Sequence, residues 1–478
     1  MLSLFFSFSF STRCDMIDTG ILFRRMIYES EVGKEGTSMG KKTFRGGIRT
    51  DDGKVLSKNK PIAVLFPKGD AVYPLSQHIG LPARPVVAVG DKVLVGQRIA
   101  EGNGVVSAHV VSAVSGKVKA IEERLTVSGA MCESIVIEND GAFELAEGLG
   151  KKRDYTVLSK EEIRQYIKDA GIVGLGGTGF PTHVKLTPKR DDAIEYVIVN
   201  GTECEPYLTA DDRLMREEGK KIVDGLKILL RLFENAKGRI VVTEEKKEAI
   251  RVLTDLVKGE LRIELQLVKA KYPQGAERKV IQVVTGRKMT SSMIPVDIGC
   301  IVHNVETVLA VYRGVAESFP FIRRVVTVSG DGVKEPQNVL VCVGTSFEEL
   351  LELAGGAKGE PELYVAGGPM RGTRLTELSV PVTKTVSAFT VFAKNKRGTV
   401  SASPCIRCGR CVSVCPGGLV PRTLIKYAEA DHKEGFVKHD GMECCECGCC
   451  SYVCPAEKPL MQKFKQLRRS ILDERRKR

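Results

Sequence analysis

The sequence reads as a multidomain α/β protein, and three observations carry that reading. The chain has 478 residues, enough for about three domains with separate cores. Its texture changes along its length, from short Val/Gly/Pro-rich strands, to alternating helices and strands, to a cysteine-dense C-terminal segment. Hydrophobic residues make up 43% and charged residues 27%, an ordinary globular balance that excludes wholesale disorder. No run approaches ~18 apolar residues, so no membrane-spanning helix is expected.

Residues 2–10 form a short apolar run. No basic residue precedes it and no small-x-small cleavage site follows, so it makes a poor secretion signal. Met39 precedes the first folded-looking sequence, and 1–38 are expected to be an extension without a packed role, read from an upstream start. Over 39–150, the stretches Val87–Ala100 and Ser112–Ile121 set short strands around glycine turns, which predicts a small β-barrel or sandwich. The pattern resembles the barrel-sandwich hybrid of lipoyl and biotinyl carriers. Those carriers attach their cofactor to a lysine at a hairpin tip, and S-A-H-V-V-S-A-V-S-G has none, so the shape is expected without the carrier chemistry. His78 and His109 are expected to be structural.

Over 151–315 the texture becomes α/β with a mainly parallel sheet. Ser159 to Glu162 reads as a capping box opening a helix, E-Y-V-I-V-N as a strand ending at Asn200, Arg213 to Phe233 as one helix, and G-R-I-V-V-T as the next strand. Residues 316–385 hold a strand, turn, strand, helix and strand between 322 and 375, the order of a β-grasp unit. Residues 386–460 carry the cysteine cluster, and 461–478 a basic tail. That tail has eight Lys/Arg and two acids, +6 of the chain's net +13, and could meet anionic lipid or an acidic partner face, or simply be a solvated helix end.

Fifteen cysteines are present, ten of them between Cys405 and Cys454. A secreted disulfide scaffold would be short and evenly studded, so this distribution points to metal ligation in a reducing compartment. Cys405, Cys408, Cys411 and Cys415 follow C-x2-C-x2-C-x3-C-P, and Cys444, Cys447, Cys450 and Cys454 repeat it. In such runs three thiolates hold one cubane and the fourth serves the other. Cys405, Cys408, Cys411 and Cys454 are therefore assigned to one 4Fe–4S cluster, and Cys444, Cys447, Cys450 and Cys415 to the second. Zinc ribbons use two C-x2-C pairs instead. Cys445 and Cys449 have no role in this register, and Cys14, Cys132, Cys300 and Cys342 read as structural thiols.

G-L-G-G-T-G, from Gly174 to Gly179, matches G-x-G-x-x-G but follows a helix and is closed by F-P-T, so it lacks the dinucleotide-fold context. Taken alone, it could equally be a tight turn. Its neighbours favour a ligand: glycines let backbone N–H groups approach phosphate, Lys185 supplies a cation, and N-G-T-E-C-E-P begins at a strand's carboxyl end. There Glu203 and Glu205 could accept hydrogen bonds from ribityl or ribose hydroxyls, or could lie in a solvated loop.

G-L-G-G-T-G-F-P-T-H-V-K, N-G-T-E-C-E-P-Y-L-T-A-D-D-R, K-Y-P-Q-G-A-E-R and V-H-N-V-E-T resemble the flavin-binding fold of the complex I NADH-oxidising subunit. With the tandem clusters and the N-terminal barrel, the set resembles the RnfC family of Rnf electron-transport complexes, from about Thr43 to Gln462. The resemblance implies non-covalent FMN with its phosphate cradled by Gly174, Gly176, Gly177, Gly179 and Lys185. Asn200, Glu203, Asn304 and Thr307 would line the flavin, and Phe180, Glu205 and Glu277 would face NAD(H). Leu175 stands where complex I has Arg, and G-A-E where it has G-E-E. The resemblance further implies a β-grasp module of the SLBB type. It also implies a peripheral location on the cytoplasmic face of the cell membrane, with integral membrane and other Rnf subunits as partners and ferredoxin reached through the complex. The expected function is that of a ferredoxin–NAD oxidoreductase (translocase) subunit, with no side-chain acid or nucleophile required.

The nearest enzymatic alternative is the related cobalamin reductase of propanediol-utilising bacteria, which shares the flavin fold and tandem clusters. A relay with an empty flavin site is a third possibility. A pI near 9.0 would suit nucleic-acid binding, yet the chain has no Trp and no basic stripe interleaved with stacking residues, so no nucleic-acid partner is expected.

Overall fold

In the structure, a computed structural model, residues 42–177, 179–393 and 402–477 are described; the expected extension over 1–38 lies outside them. The centre is a four-stranded sheet in the order Ile263–Val268, Lys237–Thr243, Tyr196–Gly201, Cys300–Asn304, all parallel. Its strands are apolar at consecutive positions because both faces are covered. Val197, Val199, Ile240 and Val242 join the core beneath the helices Gly219–Leu232 and Val305–Ala316. Ile198, Val241 and Val302 face the other way, onto Phe44 and the helix Glu277–Thr285.

The capping box forms as expected: Ser159 Oγ accepts the Glu162 N–H and Glu162 accepts the Ser159 N–H, opening the helix Lys160–Asp169. The helix expected over 213–233 differs. It is two helices, Ala210–Glu217 and Gly219–Leu232, broken at Glu218. A Cβ at Gly219 would lie 3.0 Å from the Val252 and Leu256 side chains, so the second helix starts at a residue without a side chain where it packs closely on the helix Lys247–Val257.

The N-terminal module has two small sheets. One orders Ala71–Pro74, Met131–Asn139, Gly116–Leu125 and Lys92–Val93; the other orders Arg84–Pro85, Arg98–Glu101 and Val110–Val111. Val93, Ile99, Val110, Val118, Ile135 and Ile137 fill the space between them. Both histidines are buried and bonded to backbone: His78 Nε2 accepts the Ala108 N–H and His109 Nδ1 accepts the Gly102 N–H.

The β-grasp sheet is larger than the sequence unit. Its order is Ala63–Leu65, Gln337–Cys342, Arg323–Ser329, Ala388–Ala393, Pro361–Ala366, Thr373–Leu375, with the helix Phe347–Leu353 against it. Ala63–Leu65 comes from the N-terminal side, and Ala388–Ala393 lies in the middle, so a boundary at 385/386 cuts a paired sheet. Long-range pairing of this kind leaves no local signal. Arg324, 2% exposed, ties the sheet to the flavin-type domain by donating to Glu306 Oε2 (2.8 Å) and to the Lys384 carbonyl (2.6 Å). The buried Lys384 ammonium donates in turn to the carbonyls of His109 and Gly171, joining three modules.

The cysteine segment folds as short helices around the core residues Leu424, Phe436, Phe464, Leu467 and Ile471. The basic tail is the helix Leu460–Lys477; Phe464, Leu467 and Ile471 turn inward, so one face is core and the other carries the charge. Among the described residues, no helix is long and apolar enough to cross a membrane.

The helices Gly219–Leu232 and Val305–Ala316 meet at Gly225, where a Cβ would lie 2.3 Å from the Val308 carbonyl oxygen. Helix propensity alone would make Gly225→Ala stabilising by about 1 kcal/mol. Backbone overlap is expected to win, with a net loss of about 2 kcal/mol and a thermal midpoint lower by about 2 °C or more. An unchanged or raised midpoint would contradict the packing described.

Candidate functional site at the carboxyl ends of the parallel strands

The loop after the strand Tyr196–Gly201 turns back across the sheet's carboxyl end, with Glu203 at φ 38°. A carboxylate and an ammonium beside it, Glu203 and Lys246, are each only 4% exposed and paired at 2.9 Å. Glu203 Oε1 also accepts the Asp211 N–H (2.7 Å), and Oε2 the Asp212 N–H (3.3 Å), at the start of the helix Ala210–Glu217. Burial works against the Glu203 carboxylate, but Lys246 and Lys54 outweigh it and hold it below its usual range. Lys54 Nζ donates to the carbonyls of Glu203 (2.8 Å), Glu205 (3.1 Å) and Leu208, clamping the loop from the N-terminal side. Glu205 Oε1 accepts the N–H groups of Met370 (2.8 Å) and Arg371 (3.1 Å) from the β-grasp sheet. These two glutamates therefore do not form a solvated loop; their carboxylates are bonded within the protein.

Asn200 and Asn304 are register partners at the ends of adjacent strands. Asn200 Nδ2 donates to the Gly275 carbonyl (2.9 Å). Asn304 caps the helix Val305–Ala316 by accepting the Glu306 N–H, and its Nδ2 donates to Asp211 Oδ2 at 2.7 Å. The glycine loop lies beside them. It is a tight reversal in which the Gly174 N–H donates to the Phe180 carbonyl, while Thr307 Oγ1 accepts the Leu175 N–H at 3.0 Å. The F-P-T that follows opens a one-turn helix, Thr182–Lys185, a start the sequence did not show. Gly176 and Gly177 are exposed; a Cβ on Gly176 would sit 3.4 Å from that of Asn304, and Gly177 has φ 141°, which suits only glycine. Gly179 packs so tightly against Thr385 and the 77–78 backbone that a Cβ would be 2.8 Å from Thr385 Cγ2. Lys185 Nζ is bonded to Glu277 Oε1 (2.8 Å) and the Val302 carbonyl (2.7 Å). An open backbone shelf with an ammonium and two asparagines at strand ends fits a flavin phosphate and ring.

The thiols fit clusters. Cys415, Cys444, Cys447 and Cys450 line one cavity together with Cys445 and Cys449, closed by Pro416, Leu419, Met461 and Phe464. Burial pushes the Cys444 and Cys450 thiols up to about 12, so a bare thiolate is disfavoured there and the positive charge of iron would compensate it. Cys411 lies close enough to Cys454, Cys405 and Cys408 to feel their charges, matching the other assigned set. Among the described residues, no three His, Cys, Asp or Glu side chains converge on a single-ion position. The second set abuts the flavin-type domain: Tyr272 Oη donates to the Cys447 carbonyl (2.7 Å) and Arg278 pairs with Glu443 (3.0 Å). Cys445 and Cys449 pack in the same interface with Cys204, whose sulfur accepts the Gly275 N–H.

The structure thus brings Gly174, Gly176, Gly177, Gly179, Lys185, Asn200, Glu203, Glu277, Asn304 and Thr307 to one sheet end, with Phe180 closing the loop and Glu205 turned towards the β-grasp sheet. Sequence reasoning missed Lys54, Lys246 and Asp211. Lysines and aspartates in polar contexts read as surface, and nothing local marks them as buried.

Asp211 makes a pH test. Burial first, then the charges of Glu203 and Glu306, push its carboxyl up to about 8. A carboxyl raised in the folded state stabilises below its unfolded value near 4, and that stability is lost as pH climbs towards 8. Asp211→Asn should remove this slope, so that from about pH 5 to about pH 8 the parent loses about 1 kcal/mol or more relative to the variant. Thermal midpoints across that range check it; parallel profiles would contradict it.

Four family models match the chain: the RnfC barrel sandwich hybrid domain over 42–142, the Nuo51 FMN-binding domain over 167–313, the SLBB domain over 325–374 and a 4Fe-4S dicluster domain over 404–458. These bear out the expected architecture, and with it FMN and two 4Fe–4S clusters as cofactors. The chain is 41% identical to a subunit of the proton-translocating ferredoxin:NAD(+) oxidoreductase complex of Clostridium ljungdahlii, over 82% of this chain and 85% of that one. It is 38% identical to a subunit of the Na(+)-translocating ferredoxin:NAD(+) oxidoreductase complex of Acetobacterium woodii, over 91% and 98%. It is 37% identical to a subunit of the ion-translocating oxidoreductase complex of Rhodobacter capsulatus, over 91% and 84%. Among solved structures, an NAD+-reducing NiFe-hydrogenase in the H2-reduced state superposes with TM-score 0.45 at 18% identity, over 67% of this chain and 62% of that chain. The chain belongs to the RnfC family, whose members are subunits of ion-translocating oxidoreductase complexes.

Proposed function

We propose that this chain is the peripheral NAD(H)-reacting subunit of such a complex, on the cytoplasmic face of the membrane, moving electrons between NAD(H), FMN and two 4Fe–4S clusters. The observation that supports this most is the contact of the second cysteine set with the flavin-type domain through Tyr272 and Cys447. Flavin exchanges two electrons with a nicotinamide and one at a time with iron–sulfur centres, so it belongs between them. The chain's own residues bind and orient. Gly174, Gly176, Gly177 and Gly179 would offer backbone to the phosphate, and Lys185, held by Glu277, would supply its countercharge. Asn200, Asn304 and Thr307 would line the ring with Glu203 fixing the loop beneath, while Phe180, Glu205 and Glu277 would sit on the nucleotide side. Cys415, Cys444, Cys447 and Cys450 would hold the inner cluster; Cys405 and Cys408 are exposed, so the first set would hold the outer one. Other Rnf subunits, integral membrane ones included, would be the partners, with ferredoxin reached through them. Relatives that belong to ion-translocating complexes favour this reading over a cobalamin reductase.

Anaerobically purified protein is expected to carry about eight irons and FMN that bleaches on adding NADH. Gly177→Ala should cut FMN retention about tenfold, through strain of about 1–3 kcal/mol at its left-handed φ, while leaving the iron content intact. Eight irons without flavin uptake, even with FMN supplied, would reduce the chain to a relay and overturn these roles.

A further inference from the structure

Residues 44–48 are wedged between the flavin-type domain and the cysteine segment. Ile48 exchanges backbone hydrogen bonds with Tyr272 (2.8 and 2.9 Å), and the Gly47 N–H donates to the Val414 carbonyl (2.9 Å). A Cβ on Gly46 would lie 2.8 Å from the Cys415 carbonyl oxygen, so this backbone rests directly on that cysteine. Two lysines of the flavin-type domain converge on the same wedge. Lys271 Nζ donates to the Phe44 carbonyl and to the Gly46 carbonyl (2.9 Å), and stands 3.9 Å from the centre of the Phe44 ring. Lys279, on the helix Glu277–Thr285, has its Nζ 5.8 Å from that ring centre and donates to Gln282 Oε1 (3.1 Å). Both lysines are half-buried, and among the described residues neither has a carboxylate partner. Arg278 and Arg468, beside the same cysteines, are already paired with Glu443 and Glu446. Burial works against the Lys279 ammonium, and the groups that favour it are Cys445 and Cys415. Burial likewise raises the Cys415 thiol, while the Leu419 and Gly417 N–H groups and Lys279 favour its thiolate. A half-buried cation without an acid thus faces a cysteine without a countercharge.

We propose that Lys279 is the countercharge of the inner cluster, acting across the domain interface through Cys415 to raise that cluster's reduction potential. The inference rests on the ligand set proposed above and adds the charge that balances it. A 4Fe–4S cluster held by four thiolates is a dianion, and reduction adds one more negative charge. A fixed cation nearby therefore stabilises the reduced form more than the oxidised one, and a half-buried site screens that attraction less than water would. Lys271, tied to the carbonyls of Phe44 and Gly46, holds the wedge in place. Lys279 is left with one neutral partner, Gln282, and its charge is free to act on the cluster. Because it belongs to the flavin-type domain, the same attraction favours the docked arrangement of the two modules.

The test uses the full chain, purified anaerobically with its iron and FMN. A dithionite titration followed by electron paramagnetic resonance gives the one-electron midpoint of each cluster without any NADH. Lys279→Met keeps an unbranched stem and removes the charge. It should make one cluster about tenfold harder to reduce, a midpoint lower by about 60 mV, and leave the other within about twofold. Lys279→Arg should keep both within about twofold of the parent. Lys258→Gln, which neutralises an exposed lysine after the helix Lys247–Val257 on the opposite face of the sheet, should do the same. Unchanged midpoints in Lys279→Met, or an equal shift in Lys279→Arg or the Lys258→Gln control, would overturn the countercharge. If Lys279→Met loses iron instead, Lys279→Arg decides. Full iron with parental midpoints in the Arg variant supports the proposal, and equal iron loss in both variants makes the lysine a packing residue and overturns it. Cys415→Ala tests the ligand set separately and should remove the cluster that Lys279→Met shifts. If it keeps about eight irons, it is the ligand reading that fails, and the midpoint comparison still stands.

Discussion

Two lysines hold a buried loop of carboxylates, and the site depends on that arrangement. Glu203 sits in a left-handed turn with its carboxylate against Lys246, while Lys54 gathers the loop's carbonyls. Each charge would be costly to bury alone, and removing one partner of such a pair costs about 3–5 kcal/mol. The loop therefore has one stable course, and four modules take their positions from it. Thr209 shares hydrogen bonds with Asn338 of the β-grasp sheet, and Glu205 holds Met370 and Arg371. Cys204 meets Gly275 in the turn that presents Tyr272 to Cys447.

Function follows from what that loop leaves open. The carboxylates nearest the strand ends are engaged within the protein, so the shelf facing outward is made of backbone, asparagine and one lysine. Such a surface would suit an anionic cofactor without presenting a competing acid or a nucleophile. The chemistry would then belong to the cofactor, and the protein's part would be to hold it beside a cysteine cavity walled by Pro416, Leu419, Met461 and Phe464. The same segment turns Cys405 and Cys408 outward, which would give the electron path an inner and an outer end.

Much of this was legible in the sequence because it is local. The Ser159–Glu162 box, the strand ending at Asn200 and the cysteine spacing each encode their geometry within a few residues. The glycine motif is ambiguous by itself and reads as a site only with its neighbours; that Asn304 and Thr307, more than a hundred residues away, lie against it has no local signal. Lys54 and Lys246 were invisible because their burial is tertiary: a lysine's sequence context says nothing about which carbonyls it will meet. The sequence marks Glu203 and Glu205 as acceptors at a strand's carboxyl end but not their partners, which are the Asp211, Met370 and Arg371 N–H groups. Ala388–Ala393 escaped assignment to the β-grasp sheet because strand pairing at a distance has no periodic signature.

An experimental map of the anaerobic, FMN-loaded protein, with iron located by anomalous scattering, tests the central claim most directly. The account predicts flavin density on the Gly176–Gly177 shelf between Asn200 and Asn304, and an iron cluster bound by Cys415, Cys444, Cys447 and Cys450 behind Tyr272. Flavin bound away from that shelf, or Cys445 or Cys449 as an iron ligand in place of these four, would contradict it.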